Sequence, residues 1–246
     1  DLVKDKKKCS YQTLEKLFKK KQNRNFKKLL VNSQLKKNNN IIAEIKKASP
    51  SAGVIIKDYI PENIVMKYEE SNVDAISILT EQHYFQGHID HLSTIHKFSK
   101  LPLLRKDFIF DPYQILQSAI YNADAILLIV SILSDNQIIE FIDIANYYGL
   151  DCLVETHTKN ELERAVKINY PVIGINNRNL DTLNINDNIT LNLISEIPEK
   201  FTVVAESGIK TNDQIKKYND VGIYNFLIGE TLLKSKNIQR KIKELK

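Results

Sequence analysis

The sequence predicts an α/β fold, a closed (β/α)8 TIM barrel with an N-terminal helical extension. Short β-branched runs alternate with helical stretches, and eight such runs can be counted. Strands that alternate with helices form parallel sheets. The length of 246 residues is that of a single eight-fold barrel. We therefore expect one barrel domain and not two smaller domains.

The main alternative is an open, doubly wound sheet. Such a sheet binds phosphate through a glycine-rich turn after its first strand. The chain has seven glycines, and none of them forms a GxGxxG pattern after the first predicted strand. The closed barrel is therefore favoured.

The predicted units follow one another in order. Strands are predicted at 41–45, 75–79, 103–105, 125–130, 152–154, 172–175, 202–205 and 226–228. Proline at a first helical position and serine or threonine caps mark the helix starts. Helices are predicted from Pro61, over 89–98, from Pro112, from the pair Ser134 and Asp135, over 159–168, after a loop 176–186, from Thr211 or Asn212, and over 232–245.

Residues 1–40 form the predicted extension, and residues 41–246 form the barrel domain. Apolar residues recur in the extension at helical spacing, in the groups Leu14, Leu17 and Phe18, and Phe26, Leu29 and Leu30. We expect these helices to pack over one end of the barrel.

Composition indicates which class of partner the protein binds and in which cellular compartment it lies. The formal charge is +5, but the lysines are spread over many predicted helices, so we expect a small-molecule partner and no nucleic acid. No apolar run is long enough to cross a membrane, and the charged first residues do not resemble a secretion signal. Cys9 and Cys152 form neither a disulfide framework nor a zinc pattern. A cytoplasmic protein without a metal is expected.

Charged residues end several predicted strands. The carboxyl ends of barrel strands converge on one face, where catalytic groups lie. Lys106 follows the third strand and Glu155 ends the fifth. A lysine there can donate a proton, bind phosphate or form a Schiff base, and a carboxylate can act as a general base. A simple surface ion pair is the structural alternative.

Glu44 and Lys46 lie two residues apart at the end of the first strand, so their side chains leave the same side. Two lysines around one cavity are unfavourable unless carboxylates or an anionic substrate neutralise them. Glu155 and Glu206 provide part of that balance. The arrangement favours a substrate with more than one negative charge.

Two further groups suggest a ligand site. Gly208 and Gly229 follow the seventh and eighth strands, where barrels bind phosphate through backbone amides; ordinary turns are the alternative. Apolar residues near the strand ends can form a slot for a flat ring, or simply pack in the core: Phe85, Phe108, Leu127 and Leu180. His157, just after the fifth strand, is expected to face solvent.

Seven stretches, taken in order, resemble the indole-3-glycerol phosphate synthase family. They are IAEIKKASPS (42–51), SILTE with YFQG (77–87), LRKDF (104–108), LVE (153–155), GINNRNL (174–180), AESGI (205–209) and LIG (227–229). The resemblance covers nearly the whole chain, and the motifs are highly specific in this order. It implies a lyase of tryptophan biosynthesis that closes an indole ring, with loss of carbon dioxide and water.

The resemblance also implies roles for individual residues. Lys106 would be the general acid in ring closure, and Glu155 the acid/base group in dehydration. Lys46 would hold the anionic groups of the substrate, and Glu44 and Asn176 would orient the catalytic groups and the sugar hydroxyls. Glu206, with Ser207, would complete the mouth of the site. No cofactor is implied, because the ring nitrogen of the substrate already activates the attacking carbon.

The implied substrate-binding residues fall into three groups. Arg178 would support the substrate carboxylate. The phosphate would be surrounded by Ser49, Ser207, Gly208 and Gly229, and the ring would lie between Phe85, Phe108, Leu127 and Leu180. Two departures concern the phosphate: Ala52 replaces a usual lysine, and Glu230 places a carboxylate beside Gly229.

The stretches 83–87 and 111–114 resemble enzymes of this family that are fused to phosphoribosylanthranilate isomerase. The chain is therefore expected to be fused to, or to act beside, such an isomerase, and to be a monomer. Two other functions remain open. One is a different phosphosugar barrel, an isomerase or an aldolase with a Schiff base on Lys106. The other is a ligand-binding scaffold without turnover, which the intact set of charged residues disfavours.

Overall fold

A computed structural model describes residues 2–179 and 182–246, and it confirms the closed barrel. Eight parallel strands follow one another around the barrel, and the last pairs with the first, from Asn40 opposite Asn225 to Ala43 opposite Ile228. The strands are β1 Asn40–Ile45, β2 Ala75–Leu79, β3 Leu103–Lys106, β4 Ala125–Ile129, β5 Asp151–Thr156, β6 Val172–Asn176, β7 Thr202–Glu206 and β8 Asn225–Ile228.

Helices precede the barrel, connect its strands and follow the last strand. They are α1 Leu2–Lys8, α2 Tyr11–Leu17, α3 Phe26–Lys36, α4 Pro61–Glu70, α5 Asp90–Phe98, α6 Pro112–Ile120, α7 Asp135–Tyr147, α8 Lys159–Ile168, α9 Ile189–Leu193, α10 Asn212–Asp220, α11 Glu230–Leu233 and α12 Ile238–Leu245. The predicted caps Ser134 and Thr211 both accept a hydrogen bond from the third helical residue, as capping boxes do.

The prediction of one continuous terminal helix over 232–245 is wrong. The chain instead forms two helices, α11 and α12, with a break between them. Asn237 causes the second start, because its side chain accepts a hydrogen bond from the backbone N–H of Arg240 at 2.8 Å. Asparagine competes well for this capping position, so it begins a new helix more readily than it continues an old one.

The N-terminal helices run along the outside of the barrel. Lys6 in α1 donates to Asp111, which caps the helix after β3, at 2.6 Å. In α2, Glu15 accepts from Tyr148 at the end of α7 at 3.0 Å. Helix α3 packs across the amino ends of β5 to β8, where the backbone oxygen of Leu30 accepts from Asn225 at 3.3 Å. Helix α3 therefore closes the end opposite the strand carboxyl ends, whereas α1 contacts the helix that follows β3.

The prediction that Leu14, Leu17 and Phe18 share one apolar helix face is wrong. Leu14 is buried and Phe18 packs against the core, but Leu17 is 60% exposed. The helix ends at Leu17, and Phe18 has an extended backbone. Helical spacing no longer applies across that boundary, so Leu17 and Phe18 do not share a face. The second group fits, since Phe26 and Leu30 are fully buried.

Candidate active site

The barrel interior is charged at its upper end, where the carboxyl ends of the strands lie. Glu44, Lys106, Glu155 and Glu206 come from β1, β3, β5 and β7, the four odd-numbered strands. Barrel interiors are filled by layers of side chains from alternate strands, and the usual members are branched and apolar. All three glutamates are buried. Burying charges is costly unless they are paired, so this end of the barrel is built for chemistry and not for packing.

Lys106 links two of these carboxylates. Its Nζ lies 2.7 Å from Glu155 Oε2 and 2.8 Å from Glu206 Oε2. The Lys106 side chain is 14% exposed, and the carboxylates are almost fully buried. We name this group, Lys106 with Glu155 and Glu206, the upper cluster. The sequence predicted that Lys106 and Glu155 share one cavity, and the structure places them in direct contact.

The charges in the upper cluster follow from burial and neighbours. Burial lowers the pKa of Lys106, but the negative charges of Glu155 and Glu206 outweigh it and raise that pKa. Burial raises the pKa of Glu155, but Lys106 and His157 bring it below its ordinary value. Burial raises the pKa of Glu206 most, and the negative charge of Glu155 raises it further. Lys106 lowers that pKa, but by less, so the pKa of Glu206 is raised overall. Lys106 and Glu155 are therefore charged at neutral pH, and Glu206 tends to keep its proton.

A second ion pair lies beside the upper cluster. Lys46 Nζ donates to Glu44 Oε1 at 2.5 Å, as expected for side chains that leave the same side of the strand. Both residues line the same cavity as Lys106. The cavity thus has two lysines among three glutamates, so these five groups carry no excess positive charge among themselves.

Glycines make room for two of the carboxylates. A Cβ atom at Gly174 would collide with Glu206 Oε1, and one at Gly229 would collide with Glu44 Oε1. Gly174 is on β6, which pairs with the strand of Glu206, and Gly229 directly follows β8, which pairs with the strand of Glu44. Any larger residue at either position would push a functional group out of place. The role of Gly174 was not predicted from the sequence.

The loop after β7 is held in an unusual conformation. Ser207 and Gly208 have φ angles of +63° and +82°, so both lie in the left-handed region. This conformation is unfavourable for serine and must be held by its surroundings. Asn177, which is fully buried, donates from Nδ2 to the backbone oxygen of Ser207 at 3.1 Å and accepts from Thr190 at 2.8 Å. Asn177 thus anchors a predicted phosphate loop, although only its neighbour Asn176 was predicted from the sequence.

Cations gather on the same side of the cavity. Arg178 lies 3.6 Å from Glu230, and Lys234 lies 2.5 Å from it. The hydrogen bond from Lys234 lowers the pKa of Glu230 most, and Lys46 and Arg178 lower it further. The carboxylate that seemed out of place beside a phosphate is therefore neutralised by surrounding cations.

Aromatic and aliphatic side chains line the opposite wall. Phe85, Phe108 and Leu127 all face the cavity, whose volume is about 440 Å³. The carboxylate of Glu81 accepts the backbone N–H groups of residues 83–85 at 2.7–3.1 Å and so fixes the loop that carries Phe85. Asp107 accepts the N–H of Phe108 at 2.9 Å. These two acidic residues shape the wall without joining the upper cluster.

Most of the predicted site residues lie together. The following line one cavity: Glu44, Lys46, Phe85, Lys106, Phe108, Leu127, Glu155, Asn176, Arg178, Glu206, Ser207, Gly208, Gly229 and Glu230. Ser49 is outside this lining. It lies in a short hairpin of 48–49 with 53–54, and its Oγ accepts from the N–H of Ala52 at 3.2 Å. Leu180 lies outside the described residues.

The expectation that His157 faces solvent is wrong. Its side chain is 8% exposed, and Nε2 lies 3.3 Å from Glu155 Oε1. Glu161 accepts from the backbone N–H of His157 at 2.8 Å. The available sequence signal was Glu161 itself, four residues further on and in the first turn of the next helix, where it reaches back to the residue before the cap.

Comparison with known proteins agrees with this geometry. A family model described as indole-3-glycerol phosphate synthase matches residues 1–245. The enzyme of that name from Acetivibrio thermocellus is 48% identical over 206 residues, which cover 84% of this chain and 79% of that protein. The Clostridium kluyveri enzyme is 47% identical over 211 residues, covering 86% and 79%. The chain belongs to the indole-3-glycerol phosphate synthase family.

Membership of the indole-3-glycerol phosphate synthase family makes the chain a decarboxylating lyase of tryptophan biosynthesis. The family expectation drawn from the sequence motifs is thus confirmed. The Campylobacter jejuni enzyme, 42% identical over 205 residues, covers 83% of this chain and 80% of its own length.

Solved structures of low identity share only the barrel. 3-Hexulose-6-phosphate synthase from Salmonella typhimurium superposes with a TM-score of 0.68 at 11% identity, covering 84% of this chain and 96% of that one. KGPDC from Streptococcus mutans gives 0.65 at 13% identity, covering 85% and 95%. In the described ranges, no helix has the length and apolar character needed to cross a membrane, and no group of three or more His, Cys, Asp or Glu is placed to hold a metal ion.

Proposed function

We propose that the upper cluster performs the acid–base chemistry that closes the indole ring of 1-(2-carboxyphenylamino)-1-deoxyribulose 5-phosphate. The products are indole-3-glycerol phosphate, carbon dioxide and water. One observation carries the assignment: Lys106 contacts both Glu155 and Glu206 in a cavity that also has an apolar wall and glycine loops. A substrate with a ring, a carboxylate and a phosphate matches these three features.

Lys106 acts as the general acid in the first half of the reaction. It donates a proton to the sugar carbonyl oxygen while the ring carbon attacks, and the carboxyl group then leaves as carbon dioxide. Its ion pairs raise its pKa, which keeps it protonated before the reaction. General acid catalysis requires this protonated form.

Glu155 acts as the acid/base group in the second half. The hydroxyl group formed from the carbonyl oxygen takes a second proton from the upper cluster and leaves as water. Glu155 removes the proton from the carbon beside the ring nitrogen, which returns one proton to the cluster. The lowered pKa of Glu155 supplies the ionised form that this step requires. Glu206 and the pair of Glu44 and Lys46 hold Lys106 and the sugar in place.

The two walls of the cavity bind the two ends of the substrate. We assign the phosphate to the loops at Ser207, Gly208 and Gly229, where backbone amides approach an anion closely. The ring lies against Phe85, Phe108 and Leu127. Lys46, Asn176 and Arg178 hold the remaining polar groups of the substrate, and Glu230 keeps Arg178 and Lys234 in position.

A Schiff-base aldolase is the second chemistry that a lysine at this position suggests. A nucleophilic lysine must lose its proton, and enzymes achieve this by lowering its pKa. The neighbours of Lys106 raise that pKa. The acid role is therefore favoured over the nucleophilic role.

The test is turnover of the purified chain and two variants, Lys106→Met and Glu155→Gln. Indole fluorescence reports the product. We expect each variant to lose about 10²-fold or more in turnover, as removal of a general acid or base does. Substrate binding, measured by titration, should stay within about threefold of the original, because neither change alters the phosphate loops or the apolar wall.

Lys97→Met serves as the matched control, since Lys97 is an exposed lysine on α5. It should retain full turnover. Normal turnover in Lys106→Met would disprove the acid role, and borohydride trapping of a substrate adduct on Lys106 would support the Schiff-base chemistry instead.

We also propose the organisation of the protein around this site. Residues 1–40 form an extension and residues 41–246 the catalytic domain, which acts as a monomer in the cytoplasm without a cofactor. Cys9 and Cys152 are both free thiols, which suits a reducing compartment. The stretches 83–87 and 111–114 support an isomerase partner, either fused or separate. Sedimentation of the purified chain at monomer mass would agree with this organisation.

A further inference from the structure

His157 is enclosed between two carboxylates. Its Nε2 lies 3.3 Å from Glu155 Oε1, and its Nδ1 lies 3.2 Å from Glu161 Oε2. The backbone N–H of His157 donates to the same Glu161 oxygen at 2.8 Å. The imidazole is 8% exposed. This is a fixed arrangement of three groups on the rim of the active site.

The two oxygens of Glu155 thus have different neighbours. Oε2 contacts Lys106 at 2.7 Å, and Oε1 faces the imidazole of His157. We infer that His157 is a positioning residue that holds Glu155 ionised and oriented through Oε1, which leaves Oε2 for Lys106 and the substrate. This inference rests on the proposed acid/base role of Glu155.

The charges around the pair support the inference. The groups that face Glu155 are Lys106 from β3, Glu206 from β7 and His157. Those that face His157 are Glu155 and, from α8, Glu161. Burial lowers the pKa of His157, but the two carboxylates raise it to about 9. At neutral pH the imidazole therefore carries a positive charge, and this charge favours the ionised form of Glu155.

The start of α8 holds the imidazole in place. Thr158 caps this helix by accepting from the N–H of Glu161 at 3.3 Å, and its hydroxyl donates to Glu161 Oε1 at 3.0 Å. Glu161 is thereby fixed with its other oxygen toward His157. The local sequence His-Thr-Lys-Asn-Glu builds this support from one helix start, independently of the barrel.

The experiment compares the pH dependence of kcat in the original chain and in His157→Gln. Glutamine keeps a polar side chain beside Glu155 but carries no charge. We expect the acidic limb of the profile to move up by about one pH unit, as loss of one close opposite charge does to a carboxyl pKa. KM should stay within about twofold, because His157 does not line the substrate cavity.

Two further variants make the test specific. Glu161→Gln should move the acidic limb in the same direction by less, because it weakens the charge on His157 without removing the imidazole. Glu163→Gln, an exposed residue on the same helix, should leave the profile unchanged. A uniform loss of kcat with an unmoved acidic limb would show a purely structural role and overturn the inference.

An NMR titration of the imidazole in the intact original chain gives a readout independent of activity. We expect a pKa of about 9 for His157, raised by the two carboxylates, and a pKa near that of a free histidine would overturn the inference. Failure of the proposed function looks different. Full turnover in Glu155→Gln would disprove the acid/base role of Glu155. If Glu155→Gln is inactive but the acidic limb does not move in His157→Gln, only the role of His157 is disproved.

Discussion

Buried carboxylates occur at both ends of the barrel, and they differ in how many hydrogen bonds their oxygens accept. At the amino end, the lower cluster consists of Asp124 with Lys21 and Arg24. Asp124 is fully buried and accepts backbone N–H groups from Arg24 at 3.1 Å and Leu103 at 3.0 Å. Lys21 and Arg24 lie 3.8 and 4.0 Å away. Both oxygens of Asp124 therefore have backbone donors, whereas the buried Nζ of Lys21 has no hydrogen-bond partner among the described residues.

The carboxylates of the upper cluster are less completely hydrogen-bonded than Asp124. Glu206 Oε1 is buried and has no hydrogen-bond partner within the described part of the chain. Lys106 serves two carboxylates, and both line an open cavity. A fully satisfied buried charge stabilises one conformation, whereas a partly satisfied one keeps capacity for a substrate. Burial of a charged group alone does not identify a functional site. A buried charged group that lacks a hydrogen-bond partner and lies beside a cavity does.

The largest effect that tests this comparison is expected in the lower cluster. Asp124→Asn leaves Lys21 and Arg24 without their anion and replaces one acceptor by a donor. We expect the free energy of unfolding in urea to fall by about 3 kcal/mol, as for loss of one partner of a buried ion pair. Turnover at 25 °C should stay within about twofold, because the cluster lies at the end opposite the site.

Asp143→Asn is the control for that experiment, since Asp143 is exposed on α7. It should change neither stability nor turnover. If Asp124→Asn lost turnover while remaining folded, the separation of the two ends into a stabilising and a catalytic cluster would fail.

The second prediction concerns Glu206→Gln in the upper cluster, where the opposite pattern is expected. Turnover should fall about tenfold or more, because the amide group cannot exchange a proton with Lys106 and places an N–H donor where the carboxyl group has an oxygen. Stability should be equal or higher. The raised pKa of Glu206 means that ionising it costs the fold free energy.

The sign of this pH effect follows from linkage. A carboxyl group whose pKa is raised in the fold binds its proton more tightly there than in the unfolded chain. Wild-type stability is therefore lost as pH rises above the ordinary carboxyl value, and glutamine does not titrate. Urea unfolding between about pH 5 and pH 8 should show a growing advantage for Glu206→Gln. An advantage that shrinks with rising pH would contradict the assignment.

The smallest effect is expected at Asn177, whose buried side chain is fully hydrogen-bonded like that of Asp124 but supports the site. Asn177→Ala removes the donor to Ser207 and should loosen the phosphate loop. We expect KM to rise about fivefold, equivalent to about 1 kcal/mol for one lost hydrogen bond, with kcat little changed. Steady-state kinetics measure both quantities.

Thr190→Val is the matched variant, because it removes a hydrogen bond to Asn177 without touching Ser207. It should destabilise the chain slightly and leave KM unchanged. An equal rise of KM in both variants would show that the whole network, and not the link to Ser207, sets phosphate binding.

The sequence by itself determined the alternation of strands and helices and most of the residues at which the strands begin. β2 begins and ends where it was predicted, and the start of β3 agrees as well. The periodicities and cap residues that carry this information act over a few neighbouring residues. The positions of Lys106 and Glu155 at strand ends followed directly, and so did their common cavity.

Only the tertiary structure decided which groups touch. The contact of Lys106 with Glu206 joins residues 100 positions apart, and it exists because the strands close into a ring. The space that Gly174 leaves for Glu206 also depends on a neighbouring strand. Side-chain contacts and burial are set by packing across the barrel, and no local pattern encodes that packing.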